Sequence, residues 1–466
     1  MKFVFAALLL AVVHSSQAVP NSGASKLALL GGTVINPADG KRTENANILL
    51  DGDTIESVGM KGLDARTRVI DCRGKFILPG YIDTHVHFFQ SGGLFTRPDA
   101  VDLTSVRSYK DEVAGIQKNL RDTFARYIRC GITSVVDIGG PMTNFGLRDL
   151  ANSVPKAPRL AVAGPLISSV SRPELDLEGD PPIVKIDTPE EGVQLVQKLA
   201  AQRPDFIKIW YVVTPESPVE KFRPIVHAVT TESHRLKLRV AVHATELESA
   251  RAAVEEGADL LVHSVTDKLV DEAFVKLVKE RGTILTPTLV VFERYGRTFA
   301  GKLELTQEEK AWGNPEVIAS LDVTKLPPDK VPERIKTALA DPDAVLDRIR
   351  KTYEIALKNL KTLHDAGVPI ATGTDAGNIG TIHGPALFRE FQLMKEAGLT
   401  PIQILACTTA TAARVFGGDA GPRIGAISGG YLADLVVLKA DPSTDIANAS
   451  SIESVIKNGV VYPAEP

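Results

Sequence analysis

Residues 76–87 have the sequence FILPGYIDTHVH, an apolar run that ends in two histidines one residue apart, His85 and His87. Side chains two apart on a strand point to the same side, so both imidazoles leave this strand in one direction. Two imidazoles aimed at one point can chelate a metal ion, and nitrogen ligands suit zinc. A pair of surface histidines would show the same spacing, so the rest of the chain has to decide between the two interpretations.

The composition of the 466-residue chain is typical of a globular protein, with 44% hydrophobic and 24% charged residues. The net charge is -4 and no basic stripe is present, so we expect no nucleic-acid partner. Cys72, Cys130 and Cys407 are odd in number and lack the spacing of a metal site. We therefore predict that all three are small buried apolar residues.

The N-terminus has the order of a secretory signal. Lys2 precedes the apolar run 3–13, and small residues allow cleavage after Ala18. This run is too short to span a membrane, and no later run of the sequence is long enough either. We expect residues 1–18 to be a signal peptide, and the mature protein to be secreted or periplasmic and free of the membrane. The alternative is that these residues form an apolar first helix of the fold.

The two ends of the mature chain, residues 19–75 and 417–466, are rich in short β-like runs separated by Gly, Asp and Asn turns. A run at 433–438 comes first, and the runs 452–457 and 460–462 are then separated by the turn pair Asn458-Gly459, which is typical of a hairpin. We predict that both ends join in one small β-sandwich, which the chain leaves and re-enters.

The middle of the chain, residues 76–416, alternates strand-like runs with helical patterns. Eight such runs predict an α/β fold, the (β/α)8 or TIM barrel. They lie at residues 76–86, 133–138, 159–166, 206–212, 240–243, 260–263, 283–290 and 369–374. The charged, proline-bearing stretch 291–350 makes this barrel longer than usual. We interpret it as a helical insertion that either covers the barrel mouth as a lid or is a solvated excursion.

Active sites of such barrels are built at the C-terminal ends of the strands. Five residues able to bind metal lie at those ends, and together they predict one shared centre. They are His85 and His87 after the first strand, His243 after the fifth, His263 after the sixth, and Asp375 after the eighth. A lone histidine at a strand end is more often structural, but five residues at matching positions are not explained by coincidence.

Lys208 lies inside the fourth strand, in the apolar context FIKIW at residues 206–210. Burial lowers the pKa of a lysine because the charged form loses hydration. The neutral amine can react with carbon dioxide to form a carbamate, a bidentate oxygen ligand able to bridge two metal ions. A lysine paired with a carboxylate of the barrel, or one that reaches solvent, is the alternative.

With these residues in place, the chain resembles the amidohydrolase superfamily over essentially all of its mature length. The matching motifs are LPGYIDTHVH at 78–87, Lys208, His243, His263, GTDAG at 373–377 and GAISGGYLADLVVL at 425–438. The resemblance implies a site for two divalent metal ions, usually zinc. It implies that one ion is held by His85, His87 and Asp375, that the other is held by His243 and His263, and that carboxylated Lys208 bridges both.

In its strand-four lysine and its predicted signal, the chain is similar to the prolidase-like and ochratoxinase-like amidohydrolases. That branch cleaves amides of dipeptides or N-acyl amino acids whose leaving group carries a free carboxylate. We therefore predict a secreted zinc amidohydrolase acting on a small-molecule or short-peptide substrate, with carbon dioxide needed to modify Lys208. A cyclic amidase, a lactonase or a deaminase, as in imidazolonepropionase-like enzymes, remains an alternative, and a non-catalytic binding protein is a remote one. A homo-oligomer is compatible with the sequence.

Asp375 is the predicted catalytic residue, because a carboxylate beside an activated water can accept its proton and pass it to the leaving nitrogen. Two further residues are predicted to bind substrate. Tyr211 follows the fourth strand, and His383 lies on the loop after the eighth. The alternatives are that Tyr211 packs at the barrel rim and that His383 caps the following helix.

Overall fold

The computed structural model describes residues 26–59, 62–418 and 421–464. The predicted signal peptide, residues 1–18, lies outside the described residues. Among the helices that are described, none combines the length and the apolar character needed to cross a membrane. Cys72, Cys130 and Cys407 are buried with free thiols, as the sequence predicted.

The elements follow one another in the order expected for a barrel inserted into a sheet. The strands are β1 (Leu27–Ile35), β2 (Arg42–Asp51), β3 (Thr54–Val58), β4 (Arg68–Asp71), β5 (Phe76–Pro79), β6 (Tyr81–Val86), β7 (Ile132–Asp137), β8 (Arg159–Val162), β9 (Leu166–Ser168), β10 (Ile183–Lys185), β11 (Phe206–Trp210), β12 (Arg239–His243), β13 (Leu260–Val262), β14 (Ile284–Thr286), β15 (Leu435–Leu438), β16 (Ile452–Lys457) and β17 (Val460–Pro463). The helices are α1 (Tyr109–Arg129), α2 (Leu147–Ser153), α3 (Pro189–Ala200), α4 (Val219–Arg235), α5 (Leu247–Glu255), α6 (Glu272–Arg281), α7 (Leu289–Phe299), α8 (Gln307–Trp312), α9 (Pro315–Ser320), α10 (Glu333–Ala340), α11 (Pro342–Asp365), α12 (Ala386–Glu396), α13 (Pro401–Ala406) and α14 (Ala412–Gly417).

Both ends of the chain contribute to one sheet, with the order β17-β16-β15-β5-β1-β2-β3 and with β4 paired to β1. The strand β1 pairs antiparallel with β2 and parallel with β4 and β5. Its apolar face forms a separate core that includes Leu29, Ile48 and Leu435. The hairpin of β16 and β17 turns at Asn458-Gly459, where both residues have positive φ, as the turn pair predicted. The expected β-sandwich of the two termini is thus confirmed.

The barrel strands pair in parallel from β6 to β8 and from β9 through β11, β12 and β13 to β14. Residues 369–376 close the ring through backbone hydrogen bonds rather than as a regular strand. The amide of Leu285 donates to Pro369 (3.0 Å), and on the other side the amide of Thr84 donates to Thr372 (3.0 Å). The amide of His87 also donates to Ala376 (2.8 Å). The predicted TIM barrel is confirmed.

The strand predicted at 76–86 is in fact two strands that belong to different sheets. The change of partner occurs at Gly80. The amide of Gly80 donates to Asp434 of the terminal sheet (2.9 Å), whereas the amide of Tyr81 donates to Gly131 at the start of the barrel (2.9 Å). Because the apolar run is continuous across Gly80, its hydrophobicity gave no sign of this break.

Two other predicted strands also differ from the structure. The run 159–166 divides into β8, which pairs with β7, and β9, which pairs with β11. The run 283–290 ends as a strand at Thr286, and α7 begins at Leu289. Pro287 lies between them and has no amide hydrogen for the strand ladder, so the apolar residues beyond it continue as a helix.

The barrel interior is apolar at one end and polar at the other. Phe206, Ala241 and neighbouring residues fill its lower layer, which Val415 and Phe416 of α14 close from below. Lys208 is two residues further along β11 than Phe206 and therefore lies on the same face, nearer the open end. The polar side chains of the site are grouped at this open end.

The stretch predicted as an insertion, 291–350, is helical in the structure. Residues from α7, α10 and the segment between them pack on the loop that follows β6. This contact forms a separate apolar cluster that includes Leu94, Val101, Phe299, Val323 and Ile335. The loop after the first barrel strand and the segment after the seventh thus support each other beside the barrel mouth.

Candidate metal centre

Three of the predicted ligands converge on one point. The Nε2 atoms of His85 and His87 lie 3.3 Å apart. Each also faces Oδ1 of Asp375, at 3.3 Å from His85 and 3.1 Å from His87. All three side chains are buried, and one ligand atom from each lies within 4.8 Å of the others. The alternation of the strand explains the histidine pair, and the closing contact of residues 369–376 with β6 brings in Asp375.

The hydrogen bonds of His87 indicate which of its nitrogens is free. Its Nδ1 lies 2.7 Å from the carbonyl oxygen of Gly139, which can only accept, so Nδ1 carries the proton. In the neutral form of this ring, the Nε2 atom of His87 presents a lone pair to the Asp375 carboxylate. Two acceptors facing each other at 3.1 Å repel unless a cation lies between them. This arrangement fits a divalent metal ion.

The burial of His85 decides the protonation state of its ring. Burial lowers its pKa to about 3, so the ring is neutral at ordinary pH. Its Nδ1 has no hydrogen-bond partner among the described residues. A neutral imidazole with a free lone pair is the form that binds metal.

His243 and His263 form the second pair. Their ring centroids are 4.4 Å apart, and the His263 ring is 5.0 Å from that of His85. Burial holds the pKa of both rings well below the usual value, so both are neutral. The Nδ1 atom of His263 is 2.6 Å from the hydroxyl of Thr288, which leaves its Nε2 for a ligand bond. The structure thus brings all four strand-end histidines together.

Lys208 lies among these rings with no partner for its amine. The side chain is buried, and Nζ makes no hydrogen bond to any described residue. Burial lowers its pKa to about 7, partly opposed by the nearby charge of Asp375. An amine that is partly neutral near pH 7 and has no hydrogen-bond partner fits reaction with carbon dioxide, and a carbamate would supply the oxygens that this part of the site lacks.

The backbone at Asp375 is in the left-handed region, with φ of 60°, and His263 has φ of 78°. Such conformations cost free energy for a non-glycine residue and are found at functional sites. Two glycines make room for this bend. A Cβ on Gly373 would lie 2.8 Å from Cβ of His85, and one on Gly377 would lie 2.4 Å from the carbonyl oxygen of His87. The GTDAG motif is therefore required by close packing against β6.

Two residues that support the ligands were not predicted from the sequence. Asp83 accepts hydrogen bonds from the amides of His85 (3.2 Å) and Thr374 (3.1 Å). Asn378 donates from Nδ2 to Oδ1 of Asp375 (2.7 Å), and its own carbonyl oxygen accepts from Arg97 (2.7 Å). Asp83 could have been predicted from its position two residues before His85, because residues two apart on a strand share one face. No local signal marks Asn378 or Arg97.

Tyr211 does not reach this cavity, contrary to the sequence-based prediction. Its hydroxyl donates to the carbonyl of Val219 (2.5 Å), and its ring packs against Phe222 of α4. The reason is the alternation along β11: Lys208 faces inward, so Trp210 does as well, and Tyr211 faces the surrounding helices. Trp210 lines the cavity, and the prediction was wrong by one residue.

His383 is also placed elsewhere. Its Nε2 donates to the carbonyl of Gln90 (2.8 Å), and its Nδ1 lies 2.8 Å from the hydroxyl of Tyr127. The ring stacks on Phe88, and burial lowers its pKa to about 4. With both nitrogens engaged, His383 fixes the loop after the eighth strand against the helix α1 and does not line the metal cavity.

The cavity above the predicted ligands has a volume of about 300 Å³. Its walls are partly apolar, with Leu166, Ile183 and Phe292, and partly polar. The polar wall holds Arg97, Tyr295 and Asn378, which are joined by hydrogen bonds. The volume is suited to a small substrate that has both apolar and charged or polar parts.

Known proteins of similar structure have the same fold. A Xaa-Pro dipeptidase with bound methionine in the active site has a TM-score of 0.69 at 23% identity, over 94% of this chain and 100% of that chain. A prolidase complexed with N-methylphosphonate-L-proline has a TM-score of 0.70 at 23% identity, over 95% of this chain and 100% of that chain. For A. niger ochratoxinase the TM-score is 0.70 at 19% identity, over 94% of this chain and 96% of that chain.

Curated sequences match over short segments. The dihydroorotase of Bacillus subtilis is 28% identical over 132 residues, which are 24% of this chain and 30% of that protein. The dihydroorotase of Pelotomaculum thermopropionicum is 40% identical over 67 residues, or 14% of this chain and 16% of that protein. The matched segments therefore span less than a third of the length of these relatives.

The model of the amidohydrolase family matches residues 76–462, which include the whole barrel and most of the C-terminal strands. This match confirms the family predicted from the motifs. The chain belongs to the amidohydrolase family.

Proposed function

We propose that this protein hydrolyses the amide bond of dipeptides or N-acyl amino acids at a centre of two divalent metal ions, with zinc as the expected metal. The observation that carries the proposal is the convergence of His85, His87 and Asp375, whose ligand atoms lie within 4.8 Å of one another. His243, His263 and the unpaired amine of Lys208 extend this donor set in the same cavity. The secretion signal at residues 1–18 and the carboxylation of Lys208 are parts of the proposal.

Ions held by these donors would supply Lewis acidity, which makes a water acidic and polarises a carbonyl group. The protein side chains have separate tasks. Oδ1 of Asp375 is held by Asn378, and no described residue donates a hydrogen bond to Oδ2. Asp375 is therefore able to take up the proton of the attacking water and to deliver it to the leaving nitrogen. Trp210 and Phe292 help to exclude bulk water from the cavity wall.

The similarity to a Xaa-Pro dipeptidase and to an ochratoxinase supports the choice of substrate class. A second candidate is a cyclic amide, which the short matches to dihydroorotases favour. Both candidates use the same attack on an amide carbonyl. They differ in whether the reaction releases a second molecule, which makes them separable by product analysis.

The test is a substrate panel with the purified protein loaded with Zn²⁺. The panel contains Xaa-Pro and other dipeptides, N-acetyl amino acids and dihydroorotate, with free amino acid, ring-opened product and ammonia measured separately. Release of amino acids that stops on chelation supports the proposal. Ring opening alone supports the second candidate. Turnover that persists in protein shown to be free of metal would contradict both.

A further inference from the structure

A second cavity, of about 480 Å³, adjoins the first cavity, which is the one above the predicted ligands, and exceeds it in volume. It is bounded by one face of α1, by the loop after β7 and by the segment 175–182. Its lining is mostly apolar and includes Val113, Leu120 and Leu147. An apolar recess of this size is typical of a site for a small ligand.

The wall between the two cavities is thin and apolar. Phe89 lines both cavities and therefore forms part of this wall. The wall also contains a small apolar cluster, in which Leu166 and Ile183 line the first cavity and Tyr109 and Leu175 line the second. No charged side chain belongs to this cluster within the described part of the chain, so an apolar group is able to pass from one cavity to the other without meeting a charge.

A pair of glycines makes room for this wall. A Cβ on Gly139 would lie 2.5 Å from Cδ1 of Leu166, and one on Gly140 would lie 3.3 Å from Cδ1 of Phe89. The ring of Phe89 is also close to a predicted ligand, because its centroid is 5.7 Å from that of the His87 ring. Phe89 thus contacts the predicted metal centre on one side and the second cavity on the other.

Polar contacts hold the walls of the second cavity in place. Asp180 accepts hydrogen bonds from the amides of Met142 (2.7 Å) and Thr143 (3.1 Å), which joins the segment 175–182 to the loop after β7. Lys110 of α1 forms an exposed ion pair with Glu178 of the same segment, with Nζ 3.2 Å from Oε1. The three walls are therefore connected at the rim, and the recess is preformed.

The lining of the first cavity is polar in one part and apolar in another. Arg97, Tyr295 and Asn378 form the hydrogen-bonded polar part, whereas Phe89 and Leu166 belong to the apolar wall. An N-acyl amino acid has the same division, since its amino acid half carries a charge and its acyl half does not. The acyl half is the one suited to the apolar wall, because burial of a charge there would cost free energy.

We propose that the second cavity binds the distal part of a long apolar acyl chain, which reaches it from the first cavity when the ring of Phe89 moves aside. This inference rests on the proposed function, which it extends by naming the acyl half of the substrate. Water adds to the carbonyl carbon and the carbon–nitrogen bond breaks, so the chain leaves as a fatty carboxylate and the nitrogen as that of a free amino acid. Each methylene group buried in the second cavity is expected to strengthen binding by about fourfold.

The kinetic test uses N-acetyl-, N-hexanoyl- and N-decanoyl-L-leucine, which differ only in chain length, at concentrations where all three are monomeric. The unchanged protein is expected to prefer the longest chain. Val113→Trp places an indole in the second cavity from α1 and should lower the decanoyl-to-acetyl ratio of kcat/KM by roughly tenfold to a hundredfold. Thr143→Trp fills the cavity from the loop after β7 and should act in the same way. Lys118→Trp is the matched control, because Lys118 is an exposed residue of α1 outside the lining of the cavity.

A binding measurement gives a readout that does not depend on turnover. Calorimetric titration of the purified protein with decanoate and with hexanoate, the acyl products, should show tighter binding of decanoate. Val113→Trp and Thr143→Trp should remove this difference, and Lys118→Trp should keep it. Far-UV circular dichroism checks that each variant is folded, and the two filling variants change different walls, so one of them suffices.

The outcomes separate this inference from the proposed function. Equal kcat/KM for the three chain lengths, or the same decanoyl-to-acetyl ratio in the filling variants and in Lys118→Trp, would overturn the acyl site and leave the amidohydrolase activity standing. If none of the three compounds is hydrolysed, the proposed function fails for N-acyl amino acids and the titration decides alone. Tighter binding of decanoate that the filling variants remove supports the site, and equal binding of decanoate and hexanoate overturns it.

Discussion

Asp83 is bonded to Thr374 through both oxygens of its carboxylate. The hydroxyl of Thr374 donates to Oδ2 (2.7 Å) and its amide donates to Oδ1 (3.1 Å). Oδ1 also accepts from the amide of His85 (3.2 Å). One buried side chain thus joins the first barrel strand to the closing segment, at the level where His85 and Asp375 face each other.

We expect Asp83 and Thr374 to be strongly coupled in stability. Asp83→Ala leaves three buried donors without an acceptor and should lower the free energy of unfolding by about 2–4 kcal/mol. A double-mutant cycle with Thr374→Val should give a coupling energy of about 1–3 kcal/mol, measured by urea unfolding. Thr372→Val is the control partner, because the Thr372 hydroxyl lies next to Met394 (3.6 Å). Equal coupling to Thr372 and Thr374 would contradict this role.

Local periodicity was sufficient to predict much of the site. The two-residue spacing of His85 and His87 fixes a common direction on a strand, and their Nε2 atoms meet at 3.3 Å as that spacing requires. The same rule, applied to β11, would have placed Trp210 rather than Tyr211 in the cavity. The error came from treating Tyr211 as a rim residue beyond the strand instead of continuing the alternation from Lys208.

Long-range packing accounts for what the sequence did not indicate. His383 is hydrogen-bonded through Nδ1 to the hydroxyl of Tyr127, which lies 256 positions earlier in the chain. Arg97 reaches Asn378 across 281 positions. Neither contact follows from a motif, because each joins the segment after the eighth strand to a distant part of the chain, which is α1 for Tyr127 and the loop after β6 for Arg97. The same is true of the break at Gly80, where the apolar run is continuous but the hydrogen-bond partners change.

The position of Glu390 predicts how stability depends on pH. Its carboxyl group is buried and accepts from the amides of Leu289 (2.9 Å) and Val290 (2.8 Å) at the start of α7. Burial raises its pKa from 4.5 to about 8. The folded state therefore holds the proton more tightly than the unfolded state, so this stabilisation is complete below pH 4.5 and is lost as the pH rises through 8.

In Glu390→Gln this group no longer titrates, so the free energy of unfolding should fall less between about pH 5 and 8 than in the unchanged protein. The two proteins are expected to differ in this fall of the unfolding free energy by a few kcal/mol, because a shift of one pKa unit corresponds to about 1.36 kcal/mol. Urea unfolding at several pH values measures it, and Glu396→Gln on the same helix is the exposed control. Parallel pH profiles for Glu390→Gln and the unchanged protein would show that Glu390 is not the group responsible.

Asn378 is expected to act by orienting Asp375. Its amide holds Oδ1 at 2.7 Å, and its carbonyl is held by Arg97 and by Tyr295. Asn378→Ala should lower metal affinity or kcat by roughly tenfold to a hundredfold, as for other residues that fix a metal ligand. Metal content after dialysis against a graded chelator gives the first quantity and steady-state kinetics gives the second. Asn448→Ala, near the terminal sheet, controls for the loss of an asparagine, and equal effects in both variants would exclude an orienting role.

Lys208 and Lys457 allow a controlled test of the bridging ligand, because both are buried lysines whose pKa is lowered by burial, to about 7 and about 8 respectively. Lys208 lies among the four histidines, whereas Lys457 belongs to β16 in the terminal sheet. Lys208→Met should lose bound metal and activity, while Lys457→Met should keep both. Protein stripped with chelator and reloaded with Zn²⁺ should recover faster with added bicarbonate, and ¹³C-bicarbonate should give a carbamate signal by NMR that is absent from Lys208→Met. Full metal content and full rate in Lys208→Met would rule out the bridge.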